Sequence, residues 1–222
     1  MISTRKLVDS IEEHALLEEI IDRAKPPVSP ELARLHYLLY TPFRYPPLEY
    51  GSRFGVRHER GLWYGALEVR TALAEASYHR LLFLEGTKAA LAPLTLAMTV
   101  FRAAVKAGRG VDLSRPPFAA HERRIASPST YEHAQRLGAR MRGAGVEAFL
   151  YVSARDRARG KNAALLAPVF ARRAPTAGHT WHCVAEKARI EFRHAISREQ
   201  VSFARGEFLV AGKLPAPGLP ST

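Results

Sequence analysis

Among 222 residues there is one cysteine, Cys183. No internal disulfide can form, and such scarcity fits a reducing compartment. Long apolar runs are missing too. The longest uncharged stretch, Ala89 to Phe101, is interrupted by Pro93 and falls short of the ~20 residues a membrane helix needs. The N-terminus, MISTRKLVDSIEEHALLEEI, carries Asp9, Glu12 and Glu13, too early for a secretory signal with an apolar centre. These absences predict a soluble, cytoplasmic protein with no membrane contact. Phosphate-binding loops are not evident: GRGVDL supplies Gly108 and Gly110 but has Leu113 where a dinucleotide-binding turn needs its third glycine, and no P-loop occurs. His179, His182 and Cys183 have no second ligand pair at matching spacing, and HERRI at His121 lacks the second histidine of a zinc protease helix. Both read better as ordinary fold residues, and no metal is expected.

What the chain has in excess is positive charge. Lys plus Arg number 33 against 21 Asp plus Glu, a net +12. Hydrophobic residues at 47% and charged residues at 24% are ordinary globular composition, so one sizeable domain with a real core is expected. The excess favours anionic partners (nucleic acid, nucleotides or an acidic protein) without choosing among them.

Periodicity divides the chain. Residues 5–24 read as a locally acidic amphipathic helix, in which Leu7, Ile11, Ala15, Glu18 and Ile21 follow helical spacing imperfectly, ending at Pro26-Pro27. A short helix from Glu31 to Tyr40, opened by Pro30, is expected next. Proline and glycine make residues 43–60 loop with short extended pieces. GLWYGA reads as a strand, LEVRTALAEASYHRLLFLEG as a helix, and LAPLTLAMTVFRAAV as containing a strand. In SPSTYEHAQRLGARMRGAG, Ser129 and Glu132 have capping-box spacing. VEAFLYVS is a buried strand ending at Ser153, followed by a basic loop, ARDRARGKN. ARIEFRH alternates as a half-exposed strand, with EQVSFARGEFLV as another. Helices and strands in this irregular order, with no repeat, predict an α+β fold. The expected divisions are a helical extension over 1–30, a body over 31–213 and a disordered Pro-rich tail over 214–222.

The stretch FRYPPLEYGSRFGVRHERGLWYGALEVRTALAE, residues 43–75, concentrates five arginines with three tyrosines and a tryptophan ahead of Glu75. Such interleaving suits a single-strand nucleic-acid groove, yet no recognisable nucleic-acid module surrounds it.

GSRFG, GLWYGALEVRTALAE and YEHAQRLGARMRGAGVEAFLYVSARDRARGKNAALLAPVF together resemble the RES-domain family, toxins of bacterial toxin–antitoxin pairs named for an Arg, a Glu and a Ser. The likeness runs from about Arg44 to Phe170. It implies an ADP-ribosyltransferase-like mixed or antiparallel β core with flanking helices. It also implies an enzyme that consumes NAD by breaking the nicotinamide–ribose bond, as a phosphorylase with inorganic phosphate as co-substrate or as a glycohydrolase. A cognate antitoxin with a Cro/Xre-like DNA-binding domain is the implied partner. Operator binding then belongs mainly to a toxin–antitoxin complex, within which this chain can be a homodimer, and the chain itself contacts no nucleic acid directly.

Carried over by residue, the resemblance puts the first family arginine on Arg44 and the second on Arg53. The strand-end tyrosine falls on Tyr64, the helix glutamate on Glu75 and the strand-end serine on Ser153. Gly55 stands where the family often has asparagine. Under this reading Glu75 stabilises the cationic ribose or orients the nucleophile. Arg44 and Arg53 hold the diphosphate through planar, charge-assisted forks. Tyr64 stacks on nicotinamide or excludes water, and Ser153 offers a hydroxyl. Catalysis is thus assigned to Glu75, Arg53 and Ser153, and NAD binding to Arg44, Arg53, Tyr64 and Ser153.

Bland readings stand beside these. A helix glutamate is usually solvated, Tyr64 would otherwise be a strand aromatic, Ser153 a turn residue, and Arg53 a surface ion-pair partner. Glu68 reads as a helix N-terminal carboxylate. Arg155 and Asn162 rank as loop contacts and Tyr45 below them. The competing functions are a non-enzymatic nucleic-acid-binding module, an ADP-ribosyltransferase acting on protein, and a degenerate member that only binds its partner.

Overall fold

The computed structural model describes residues 10–47, 49–88 and 93–218. The chain divides into two compact units, Met1–Arg34 and Leu35–Thr222. In the first, helix α1 spans Ile11–Ala24. Ser10 and Glu13 cap it reciprocally: the Ser10 amide donates to Glu13 Oε2 and the Glu13 amide to Ser10 Oγ. Residues 5–9, with which the expected helix began, lie outside the described residues. Helix α2 is one turn, Pro30–Ala33, capped by Ser29 with proline at its start. The single helix expected over 31–40 is therefore not formed. His36 takes an extended conformation and caps a separate helix, α3, Tyr37–Arg44, which begins the second unit's secondary structure.

In that unit follow β1 Trp63–Ala66, α4 Val69–Gly86, β2 Leu94–Thr99, β3 Gly110–Asp112, α5 Glu122–Ile125 and α6 Glu132–Gly143. The remaining strands are β4 Ala148–Val152, β5 Lys161–Leu165, β6 Thr180–Ala185, β7 Arg189–His194 and β8 Gln200–Ala204. The fold is α+β, with a four-stranded sheet ordered β1-β5-β4-β3 and another ordered β2-β6-β7-β8. Among the described strands, β3 and β4 pair in parallel and the other pairs are antiparallel. No described helix is long and apolar enough to cross a membrane.

Each sheet has its own core. Against the second sheet, α4 buries Leu73, Tyr78, Leu81 and Leu84 among Trp181, Cys183, Ile190, Phe192 and Phe203. On the first, Phe54 packs edge-on against Phe149 and Tyr151, with ring centroids 4.7 and 4.8 Å apart. That contact pins the arginine-bearing loop between α3 and β1 onto the sheet. Small residues Ala134 and Gly138 let α6 approach closely: a Cβ at Gly138 would fall on the Phe54 carbonyl oxygen.

Three local expectations are corrected. Helix α6 begins at Glu132, so Glu132 is too early to serve as the third residue of a capping box with Ser129. Thr130 Oγ1 accepts the Glu132 amide instead, and Ser127 Oγ accepts those of Ser129 and Thr130. In β7 the alternation breaks at Glu191, which is buried and bonded by Arg193 Nε at 2.7 Å; the arginine supplies the charge that lets a carboxylate turn inward. The last strand stops at Ala204 and gives way to a 3-10 turn, Arg205–Phe208, that drives Phe208 into the core.

Replacing Gly138 sets two effects against each other. Alanine gains about 1 kcal/mol of helix propensity, whereas overpacking a rigid contact costs about 1–3 kcal/mol, and here the obstacle is backbone. Gly138→Ala is expected to lower the denaturant midpoint of unfolding without changing the slope.

Candidate functional site

Helix α4 runs Val69–Gly86 with Thr71, Glu75 and His79 four residues apart, on one stripe. Glu75 meets the first sheet there. Ser153, the residue after β4, donates from Oγ to Glu75 Oε1 at 2.6 Å. Asn162, the second residue of β5, donates from Nδ2 to the same oxygen, also at 2.6 Å. Tyr151 and Asn162 are register partners, so the β4–β5 pairing brings both donors to one point.

The direction of the serine bond is fixed by its other contacts. Ser153 Oγ accepts the Arg155 amide at 3.1 Å and the Asp156 amide at 3.0 Å. Its lone pairs are thereby occupied and its one proton goes to Glu75. A latch sets the loop itself: Asp156, 5% exposed, accepts Thr71 Oγ1 at 2.8 Å and the Ala158 amide at 3.0 Å. Gly160 passes so close to Thr71 that a Cβ would collide with its hydroxyl.

Glu75 opens on a pocket of about 520 Å³, also lined by Arg53, Tyr64, Tyr78, Tyr131 and Asn162. Arg53 is 7% exposed, gives Nη1 to the Ser127 carbonyl at 2.7 Å and lies over the Tyr131 ring at 4.9 Å. Arg155 is 4% exposed, gives Nη2 to the Pro128 carbonyl at 3.0 Å and lies 3.5 Å over the Tyr78 ring. Its Nη1 is buried with no hydrogen-bond partner. Among the described residues, neither guanidinium is ion-paired with a carboxylate. Burial of a cation in this way leaves it short of countercharge, and the pocket suits an anion.

A larger cleft of about 1150 Å³ is lined by residues of both sheets and of α4, chiefly apolar ones such as Leu73, Met98, Leu150 and Trp181, and shares Tyr64–Ala66 with the smaller pocket. Its carboxylates are Glu68, at the N-cap of α4, and Asp112, already paired with Lys161 at 3.0 Å. Size favours this cleft. Convergence of a held carboxylate, the Arg53 guanidinium and tyrosines favours the smaller pocket, where we place the site.

Of the residues singled out from sequence, Arg53, Tyr64, Glu75 and Ser153 are thus brought together. Arg44 is not: it ends α3, half-buried, with its guanidinium 5.5 Å from the centroid of the Tyr45 ring, and does not line the pocket. Tyr64 lines the pocket with its ring, but its hydroxyl bonds Ser52 Oγ at 2.8 Å and accepts the Phe54 amide at 3.1 Å. It therefore holds the Arg53 loop from both sides. Asn162 belongs to a strand rather than a loop. Its signal was the alternation of KNAAL, which turns Asn162 and Ala164 to the same buried face. Tyr78, Tyr131 and the Thr71–Asp156 latch carried no motif. Among the described residues no group of three or more His, Cys, Asp or Glu is placed to hold a metal ion.

Burial pushes the Tyr64 and Tyr78 phenols up to about 12, outweighing the lowering by Ser52 at Tyr64 and by Arg155 at Tyr78. The folded state thus retains two protons that the unfolded chain loses at an ordinary tyrosine value. Their contribution to stability is complete below pH 10 and is lost as pH rises toward about 12. Burial also pushes the Tyr151 phenol well up, so tyrosinate absorbance should show Tyr64, Tyr78 and Tyr151 ionising after the exposed tyrosines, and urea unfolding of Tyr64→Phe should lose less stability than wild type over that interval.

Residues 29–186 match the RES domain. No curated protein matches the chain. The matched segment contains α3, β1, α4, β4 and β5 and so every member of the Glu75 clamp, and by this match over more than half its length the chain belongs to the RES-domain family, with an ADP-ribosyltransferase-like α+β fold.

Proposed function

We propose that this protein cleaves the nicotinamide–ribose bond of NAD. The observation that carries the reading is the Glu75 carboxylate. One oxygen is held by Ser153 and Asn162, and the carboxylate faces a pocket that the Arg53 guanidinium also lines. A dinucleotide has matching features: a diphosphate for Arg53, and a ribose that becomes cationic as its glycosidic bond breaks. The pocket's volume lies in the range of small-ligand sites, and membership of the RES family agrees with an NAD-acting enzyme.

In the step itself, the bond between ribose C1 and the nicotinamide ring nitrogen breaks. Its electron pair goes to the ring, so the positively charged pyridinium departs as neutral nicotinamide and the ribose acquires oxocarbenium character. Glu75 stabilises that charge through space and orients the acceptor. Water as acceptor yields ADP-ribose and a proton; phosphate yields ADP-ribose 1-phosphate. The Ser153 hydroxyl, committed to Glu75, acts as a positioning donor rather than a nucleophile. Depletion of NAD would make the protein toxic to its own cell, and an antitoxin carrying a Cro/Xre-like domain is the fitting partner.

The nucleic-acid reading is weaker for a physical reason. A single-strand groove needs a run of exposed rings on which bases stack. Of the tyrosines and tryptophan in residues 43–75, Trp63 is buried and Tyr64 is half-buried with its hydroxyl tied to the Arg53 loop, which leaves only Tyr45 and Tyr50 exposed.

Purified protein is expected to release nicotinamide from NAD, with a phosphate-dependent rate if phosphorolysis is the reaction. Glu75→Gln keeps the shape but removes the charge, and should lower kcat about 10²-fold or more. Asn162→Ala leaves the carboxylate present but half-released and should lower kcat about tenfold. Full activity in Glu75→Gln would overturn the assignment.

A further inference from the structure

The chain beyond β8 returns to the pocket. After the 3-10 turn, Val210 and Lys213 exchange backbone hydrogen bonds at 2.9 and 3.1 Å. Between them Ala211 and Gly212 both have positive φ, 50° and 78°, as primed two-residue reversals require. Leu214 then enters the core formed by α4 and the second sheet, at 8% exposure. Tyr78, from the same core, donates its hydroxyl to the Pro215 carbonyl at 2.7 Å. Gly218 lines the pocket beside Tyr131, whose Cε2 would be 3.5 Å from a Cβ at that glycine. The segment expected to be a disordered tail is thus packed as far as Gly218, while residues 219–222 lie outside the described residues. Proline at 215 and 217 removes two amide donors and restricts φ, so the strap needs no strand beside it.

Tyr78 joins strap and site: its ring carries the Arg155 guanidinium and its hydroxyl holds Pro215. With the strap in place about 520 Å³ remains open, and the strap reaches the lining at Gly218 alone, so it borders the pocket there and does not fill it. The RES match ends at residue 186, so this border is added from outside the matched segment.

We infer that Leu214–Gly218 is a ligand-binding element of the pocket, contributing affinity for the dinucleotide and not to bond cleavage. The inference rests on the NAD reading above. The strap provides no charged group and no atom to the Glu75 clamp. Its contacts are therefore equal in ground and transition states, and their loss appears in KM rather than kcat.

The test compares the full chain, a chain ending at Leu214, and Tyr78→Phe, which keeps the whole chain and removes only the anchoring hydroxyl. The shortened chain should raise the KM for NAD about tenfold with kcat within about twofold. Tyr78→Phe should move KM in the same direction by about threefold. Calorimetric NAD binding to Glu75→Gln, with and without residues 215–222, should weaken in parallel. An unchanged KM in both variants, with the full chain active, overturns the strap alone, as does a lower KM, which marks an obstruction. A drop in kcat at constant KM assigns the segment to the chemistry and also overturns it. A full chain that neither binds nor cleaves NAD overturns the nucleotide reading, and the strap's role with it.

Discussion

Oxygen Oε1 of Glu75 receives two hydrogen bonds of 2.6 Å, from Ser153 and Asn162, and much of the architecture serves to deliver those donors. Their strands must be neighbours, which the β4–β5 register ensures. Their loop must be held at the helix, which the Thr71–Asp156 contact does one turn before Glu75. Gly160 must lack a side chain for that approach. Hydrogen bonds to a charged group contribute about 1.5–3 kcal/mol each, and immobilising a glutamate side chain costs about 1.5–2 kcal/mol. The clamp's net stabilisation is therefore modest. What it secures is position, since both donors occupy one oxygen and leave the other for a ligand.

The opposite charge is handled less completely. Arg53 and Arg155 are buried on tyrosine faces, each with one guanidinium nitrogen bonded to a carbonyl of the Ser127–Pro128 segment. A desolvated cation–π contact contributes about 2 kcal/mol, less than the several kcal/mol that removing a cation from water costs. Among the described residues no carboxylate forms an ion pair with either cation, and Arg155 Nη1 has no hydrogen-bond partner, so this region is short of negative charge. The overall excess of positive charge raises the local concentration of anionic ligands. It does not select among them.

Much of this was legible in the sequence, for definite reasons. Sequence pattern marks α4, β4 and β7 as elements, whereas Glu75 and Ser153 are singled out by the family resemblance, which their places on a helix face and at a strand end fit. Asn162 was misjudged because it lies at a loop–strand boundary, where basic residues hide the change of period. Arg44 is assigned by the resemblance, but it ends α3 and does not line the pocket, where Arg53 is the lining arginine. Glu191 and the Ser129–Glu132 pair show the same limit, since a partner or a helix start displaced by a few residues overrides a local rule. The strap was least legible, because a Pro-rich tail docks only where a distant hydroxyl and an apolar socket await it.

Helix α4 links the two sheets through its own periodicity. Its Ala74, Tyr78 and Leu81 stripe is buried with the second sheet, and its Thr71, Glu75 and His79 stripe turns toward the pocket and the latch. The first stripe fixes the helix's rotation about its axis, and therefore the angle at which Glu75 meets Ser153 and Asn162. Strands β7 and β8 lie beyond the RES match and supply no clamp residue, yet Ile190, Phe192 and Phe203 form the floor on which that rotation is set. Because interiors are close-packed, a volume change in this floor transmits to the helix rather than being absorbed. The apolar core of the second sheet is thus part of what aims the carboxylate, although none of its side chains belongs to the clamp.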